Sequence, residues 1–381
     1  MRTIGRACIP GVILALLLTA CAAPAAREPA LTAPSSGAAG AAPGAPAAPA
    51  SAAPTALAPL APRVKVQMGV TDASVNGPMF IGLDRGYFAE QGLDVEDNRF
   101  DGVTRMMQPL AAGQLDVIGA AITAGLFNAV GRDVDVRIVA DRGRETPGRS
   151  ESALVVRQDL WESGAVRALP DLRGLRVAVP GAQAGSTLAL ELGHGLEAQG
   201  MTIDDVQVVD LATPEANAAL ANRSVDAALL TEPLVTQGVA AGISHQLYRS
   251  GDLYPGLQTG FILYSADFVR SQPEAARRWL LAYLRGVRDY TDAFVKNKGR
   301  DAVVSALIRQ TSVKDPALYA QLTPTYINPN GRVDPTTLIA AQDWFAARDL
   351  VPRKIDVAAI VDPQFVDYAL GILGPYDEAA P

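Results

Sequence analysis

Ten residues stand where an apolar, strand-like run gives way to a helix-like one. They are Ser74, Asn76, Asp101, Gly102, Thr123 and Ala124 in the first half of the chain, and Ser186, Thr187, Thr231 and Glu232 in the second. Hydroxyl and amide side chains at such junctions can hydrogen-bond a small molecule, and the unpaired N–H groups and partial positive charge of a helix start favour anionic groups there. The same residue types cap helices with no ligand present, a role that suits Asp101, Thr123 and Thr231 equally. The chain offers little covalent chemistry. It has two histidines, His194 and His245, and two cysteines, Cys8 and Cys21, with no Cys/His pair at metal-ligand spacing. Catalysis would need Asp101 or Glu232 as a base, and no nucleophile or orienting partner accompanies either. The pattern implies reversible binding, with no catalytic residue, metal or cofactor. Arg142, Arg144, Glu145 and Arg149 lie in a charged run over 141–152. Guanidinium groups match oxyanions in a fork, but a run of this kind reads first as a solvated loop. Arg105, one turn into the helix that Asp101 opens, is placed nearer the candidate site and still on the surface.

These residues need elements to position them. Val64, Val66, Met68 and Val70 alternate with Arg63, Lys65 and Gln67, the period of a strand. Asn76-Gly77-Pro78 opens a helix over 79–85 that Gly86 closes, and a shorter turn ends at Gly92. A strand over 93–100 leads to a helix from Asp101 to about 113, which Pro109 should kink or end early. A strand over 115–119, a helix from Thr123 and a strand over 134–140 complete the set. A second set follows: a strand over 175–179, a helix after Ser186, a strand over 206–211, a helix after Thr213-Pro214 and a strand over 225–230. In the Ser186 helix the spacing of Leu188, Leu192 and Leu196 outweighs Gly193 and Gly195. Leu110-Ala111 with Asp116 recurs at the same spacing as Leu220-Ala221 with Asp226. Each aspartate opens an apolar strand that leads to a threonine, Thr123 or Thr231. One α/β unit used twice explains the match, and strand–helix alternation predicts parallel sheets with crossover helices. Beyond 273 the chain is helical. Trp279, Leu280, Tyr283, Leu284 and Val287 form an apolar stripe, and further helices are expected over 299–310, 334–350 and 362–373. Trp279 and Trp344 are expected in the core.

The N-terminus speaks to compartment. Arg2 and Arg6 precede an apolar run over 12–18, the shape of a secretory signal and too short to span a bilayer. Leu18-Thr19-Ala20-Cys21 has the form of a bacterial lipobox, which implies removal of 1–20 and acylation of Cys21 as a membrane anchor. The Ala/Pro/Ser/Gly tract over 22–62 reads as a disordered tether. At ~3.1 Å per residue it would reach on the order of 100 Å. The net charge of −7, with acids and bases interspersed, argues against a nucleic-acid partner. The remaining length suffices for two domains.

The stretch Asn76-Gly77-Pro78 through Gly86-Tyr87-Phe88 to Gly92-Leu93-Asp94-Val95 resembles the opening signature of the nitrate/sulfonate/taurine-type substrate-binding proteins. Three further pieces match in order: Gly113-Gln114-Leu115-Asp116-Val117, Asp171-Leu172-Arg173-Gly174-Leu175-Arg176-Val177-Ala178-Val179, and Val225-Asp226-Ala227-Ala228 with Glu232-Pro233. The resemblance runs from about 64 to 368. It implies an α/β fold of the type II periplasmic binding protein kind: two lobes with mixed, mostly parallel sheets, joined by two crossover strands at 153–157 and 260–265. Lobe 1 would be 63–155 plus 262–381 and lobe 2 would be 156–261, with the ten residues above facing a cleft between them. It further implies a monomeric, lipid-anchored extracytoplasmic receptor. Such a receptor delivers a small anionic or heteroaromatic ligand to the permease of an ABC importer and its ATPase. A ligand sensor for a membrane signalling partner, or an enzyme on the same fold, are the alternatives. The cysteine-rich motif and sacrificial histidine of the thiamine-pyrimidine-synthesising relatives are absent.

Overall fold

The computed structural model describes residues 57–100 and 102–378. The signal segment, Cys21, most of the tether and Asp101 lie outside the described residues. The last residues of the expected tether do not hang free. Leu57 and Leu60 pack on the core, Leu60 N donates to Gln91 O (3.1 Å), and Arg278 Nη1 donates to Ala58 O (2.5 Å). Two large apolar side chains in an Ala/Pro tract are enough to dock its end.

Ten strands form two five-stranded sheets. The first holds β1 (Val64–Val70), β2 (Leu93–Arg99), β3 (Val117–Ala121), β4 (Val136–Arg144) and β10 (Gln258–Ser265), in the order β2-β1-β3-β10-β4. The second holds β5 (Ser152–Arg157), β6 (Arg176–Ala178), β7 (Gln207–Val209), β8 (Ala227–Thr231) and β9 (Ser244–Arg249), in the order β7-β6-β8-β5-β9. β1 is parallel to β2 and β3, and β6 to β7 and β8. β10 and β5 take the fourth place in their sheets and run antiparallel to both neighbours. The two sheets are therefore one arrangement built twice, as the internal repeat implied, and the fold is the type II periplasmic binding protein fold.

The repeated aspartates do the same work in both. Asp116 Oδ2 accepts from Gln67 N of β1 (2.8 Å), and Asp226 Oδ2 accepts from Arg176 N of β6 (3.0 Å). In each case the aspartate's own N–H returns a bond to the same residue's carbonyl (2.8 Å). An acid one residue before a buried strand thus pins that strand to its parallel neighbour.

Helices cover both faces of the first sheet. Val66, Met68 and Val70 face the Gly77–Asp84 and Pro273–Phe294 helices, where Trp279 stacks on Tyr283 and meets Phe88. Ile118 and Phe261 face Phe127 and Phe345 on the other side. The second sheet is likewise sandwiched, with Leu154 and Val177 against Leu192 on one face and Val155 and Leu230 against Ala216 on the other. Trp344, expected in the core, is instead half-buried. It lies against Gly193 and donates to Glu197 Oε1 (3.1 Å), joining the Pro335–Ala346 helix to the Thr187–Glu197 helix. Pro109 does end its helix early, at Ala111, its carbonyl taking the N–H groups of Gln114 and Leu115. β9 was not legible. It is an edge strand of mostly polar residues, Ser-His-Gln-Leu-Tyr-Arg, that pairs with β5 alone.

The chain passes between sheets earlier than expected. β5 pairs along its length with β8 and β9, and β10 with β3 and β4. The passages are therefore the segments before them, 145–151 and 250–257. Ladder hydrogen bonding commits each strand to one sheet and leaves the change of sheet to turns.

Candidate functional site

The carboxyl ends of β1 and β8 approach one another, as do those of β3 and β6, and junction residues among the described ones lie at these approaches. Two hydrogen bonds, one between backbones and one from a side chain, bridge the lips. Ala124 N donates to Gly185 O (2.9 Å), and Thr187 Oγ1 donates to Ile122 O (2.6 Å). Gly185 has φ +72°, and a Cβ there would sit 2.5 Å from Ala124 Cβ, so only glycine permits the approach. Ala124 and Thr187, expected to hold ligand, thus hold the two halves together.

Beside this contact lies a cavity of about 440 Å³, bounded by Val103, Met107, Ala120, Ala121, Thr123 and Ser186 among others. Thr123 and Ser186 both cap their helices, accepting from Leu126 N and Ala189 N (3.2 Å each). Their hydroxyl hydrogens stay available to the cavity, since a capping oxygen only accepts. Gly102 faces open space, with nothing within 4 Å of the place a Cβ would take. Ser74 Oγ is buried with no hydrogen-bond partner, in a separate small void shared with Gly77, Tyr290 and Pro233. Thr231 is half-buried at the end of β8, and its hydroxyl makes no hydrogen bond within the described residues.

Two expected ligand contacts are already committed. Asn76 is wholly buried; its Nδ2 donates to Thr71 O (2.8 Å) and Thr71 Oγ1 (3.1 Å), and its Oδ1 accepts from Arg142 Nη1 (2.7 Å). Glu232 Oε1 accepts from Arg249 Nη1 (2.8 Å) and Oε2 from Thr236 N (3.1 Å), so both oxygens serve the second sheet. Nothing in the described structure leaves either side chain free for a solute.

The charged run over 141–152 is not a solvated loop. β4 continues to Arg144, burying Asp141 and Arg142, and Glu145 is buried just beyond. Arg142 crosses the sheet over Gly119 and Gly260, where a Cβ would meet its Cδ at 2.9 Å and its Nε at 3.2 Å. Its Nη2 donates to Ala120 O (3.1 Å), while Nε is buried without a partner. Glycines inside two neighbouring strands were the available signal for this side chain. Glu151 also escaped the sequence reading. Burial pushes its carboxyl up, Arg142 pulls it back down and Glu232 adds a further upward push. Arg149 pairs with Glu378 (3.1 Å) and stacks on Tyr326, and Arg144 lies 3.8 Å from Asp334. His194 stacks on Tyr254 and His245 on Trp161. Among the described residues no cluster of His, Cys, Asp and Glu could hold a metal ion.

The arrangement is a cleft closed at its lips, with a mainly apolar chamber that Gln108, Thr123, Arg132 and Ser186 also line, and with no reactive set among the described residues. A family model for the NMT1-like family matches residues 60–308. The chain belongs to the NMT1-like family. A Brucella abortus protein with a provisional binding-protein name is 28% identical over 219 residues, 56% of this chain and 62% of that one. The chain thus spans less than two thirds of the curated relatives it matches there. The riboflavin-binding protein RibY of Chloroflexus aurantiacus is 25% identical over 285 residues, 73% of this chain and 72% of that one. Among solved structures, the alkanesulfonate-binding protein SsuA of Xanthomonas axonopodis pv. citri, bound to MOPS, superposes with a TM-score of 0.64 at 19% identity. That match covers 80% of this chain and all of that one, and it establishes the shared fold.

Proposed function

We propose that this protein is the extracytoplasmic solute receptor of an ABC importer, a clamp that closes on one small organic molecule and presents it to a membrane permease. The two repeated sheets act as lobes, with the passages 145–151 and 250–257 as the hinge. The observation that carries this reading is the cleft itself. A chamber of about 440 Å³ lies where the lips of the two halves meet, and it is lined mainly by apolar and small residues. Its size and lining suit an organic solute with an apolar body better than a bare inorganic anion. Thr123 and Ser186, with Gln108 and Arg132 of the same lining, would hold the polar group. Arg142, bonded to Ala120 O in the chamber wall, and Asn76 behind it would support that wall. Names of relatives that mention sulfonate and riboflavin binding agree with a solute of this kind. Cys21 would carry the lipid anchor and the Ala/Pro tract the tether.

Two experiments test the reading. Ala121→Trp fills the chamber; it should abolish stabilisation by solute while leaving the solute-free melting temperature nearly unchanged, and undiminished solute stabilisation would refute the site. Cys21→Ala should move the protein from the membrane to the soluble extracytoplasmic fraction, and continued retention in the membrane would refute the anchor.

A further inference from the structure

The two passages between sheets run side by side. Glu145 N donates to Leu257 O (2.7 Å), Gly256 N to Glu145 O (2.8 Å) and Gly251 N to Ser150 Oγ (2.8 Å). Two buried carboxyls meet against them. Glu145 belongs to the first passage, and Glu191 reaches in from the Thr187–Glu197 helix. Ser152 Oγ lies 2.8 Å from Glu191 Oε2 and 3.4 Å from Glu145 Oε1, and Ser250 Oγ lies 2.6 Å from Glu191 Oε2.

Hydrogen bonding distinguishes the two carboxyls. Ser152 has one hydroxyl hydrogen, and the shorter contact takes it to Glu191. The contact to Glu145, at 3.4 Å, is too long to stabilise a carboxylate there, so Ser152 serves Glu191 and leaves Glu145 without a close donor. Glu145 Oε2 is buried with no partner, which suits the carbonyl oxygen of an acid and is costly for a carboxylate. Ser150 Oγ, which also neighbours Glu145, gives its own hydrogen to Thr146 O (3.1 Å). The other charges are few. Glu151 is a third acid acting on both groups, with Arg142 beyond it. His194, one turn from Glu191, has its Nδ1 2.9 Å from Leu253 O and its ring on Tyr254. Among the described residues no lysine or arginine pairs with Glu145 or Glu191. Burial pushes Glu191 up to about 7, and burial together with the charge of Glu191 pushes Glu145 well above the usual carboxylate range.

We propose that Glu145 and Glu191 form a proton-binding site built into the hinge, where a bound proton holds the clamp closed and its loss favours opening. This rests on the reading of the two sheets as lobes that close on a solute. Opening bends both passages and admits water to the cluster, and hydrated carboxyls release protons more readily than buried ones. By linkage, raising the pH through neutrality shifts the population towards the open form, and acidification shifts it back.

The test follows the solute-free protein from about pH 5.5 to about pH 8.5, the range that brackets a carboxyl titrating near neutrality. Infrared spectroscopy should show a buried carboxylic-acid C=O band that disappears with rising pH, while the radius of gyration from small-angle scattering rises over the same range. Both changes should be missing in Glu145→Gln combined with Glu191→Gln. Ser152→Ala removes a hydrogen bond that favours ionised Glu191, so it should move the midpoint to higher pH. Wild-type protein with no titrating acid band, a radius that ignores pH, or the same transition in the double variant overturns the proposal. If the double variant does not fold, the wild-type titration and the Ser152→Ala shift still decide it. A pH-dependent radius in a protein that takes up no solute from a small-molecule extract of its host would break the receptor reading and leave the proton site standing.

Discussion

Asp116 and Asp226 occupy equivalent places in the two sheets, yet replacing each with asparagine should have very different effects. Asp226 accepts from Arg157 Nη1 (2.7 Å) and from Arg176 N (3.0 Å), Nε (3.0 Å) and Nη2 (2.9 Å). Burial alone would raise its carboxyl, but the Arg176 contacts and the charge of Arg157 hold it below its ordinary value. Asparagine keeps one acceptor oxygen and turns an NH₂ group towards the guanidiniums. Arg176 is 40% exposed and rehydrates; Arg157, at 12%, does not. The loss is the two bonds to cations, less what water returns to Arg176, or about 2–3 kcal/mol. Asp116 accepts from a backbone N–H only, with burial pushing its carboxyl up. Asparagine supplies the same acceptor with no charge to desolvate, so the change there is about 0–1 kcal/mol. Urea unfolding of both variants measures the difference. The pH signs are opposite as well. The depressed Asp226 adds stability above its unfolded pKa and loses it as pH falls through the folded one. The raised Asp116 adds stability below its unfolded pKa and loses it as pH rises through the folded one. Equal losses in the two variants would refute the claim that the repeat was kept for strand pinning and elaborated with charge only in the second sheet.

Gly185→Val should force the lips apart, because its Cβ has no room beside Ala124 and its φ is +72°; scattering should show a larger radius, and an unchanged radius would refute the closing contact. Asp141 is buried between Gln258 Nε2 (2.5 Å) and Asn328 N (2.7 Å), and burial pushes it up to about 6. Its contribution to stability is full below its unfolded pKa and should fall by about 2–3 kcal/mol as pH rises towards 6, a slope that Asp141→Asn should flatten in denaturant titrations at several pH values. Ser74→Ala should raise the melting temperature slightly, because its hydroxyl is buried without a partner, and should leave solute binding unchanged in calorimetry, because Ser74 lines a separate void from the chamber; a tenfold loss of binding would refute that placement.

Much of this was legible in the residues. Period-two alternation placed β1, the repeated aspartates announced the duplicated sheet, and two of the hydroxyls singled out at strand ends, Thr123 and Ser186, line the chamber between the sheets. The polar junctions could not reveal which residues face a solute and which face the protein. Asn76 looks like an open amide, and only the path of Arg142 over two glycines shows that it is occupied. Glu232 looks like a ligand acid until Arg249, on the unrecognised edge strand β9, is brought beside it. The run over 141–152 misled for a related reason. Charge density reads as exposure when each charge is counted alone, whereas here Asp141, Arg142 and Glu145 are buried by partners distant in sequence. Burial of a charge is set by tertiary pairing, which local composition does not encode.

The clamp is tested most directly by native mass spectrometry of the protein, before and after incubation with a small-molecule extract of its host. The account predicts one added mass per chain, in the range of a small organic molecule, lost on denaturation and lost in Ala121→Trp. A folded protein that takes up nothing from the extract, or that takes up the same mass in Ala121→Trp, would contradict it.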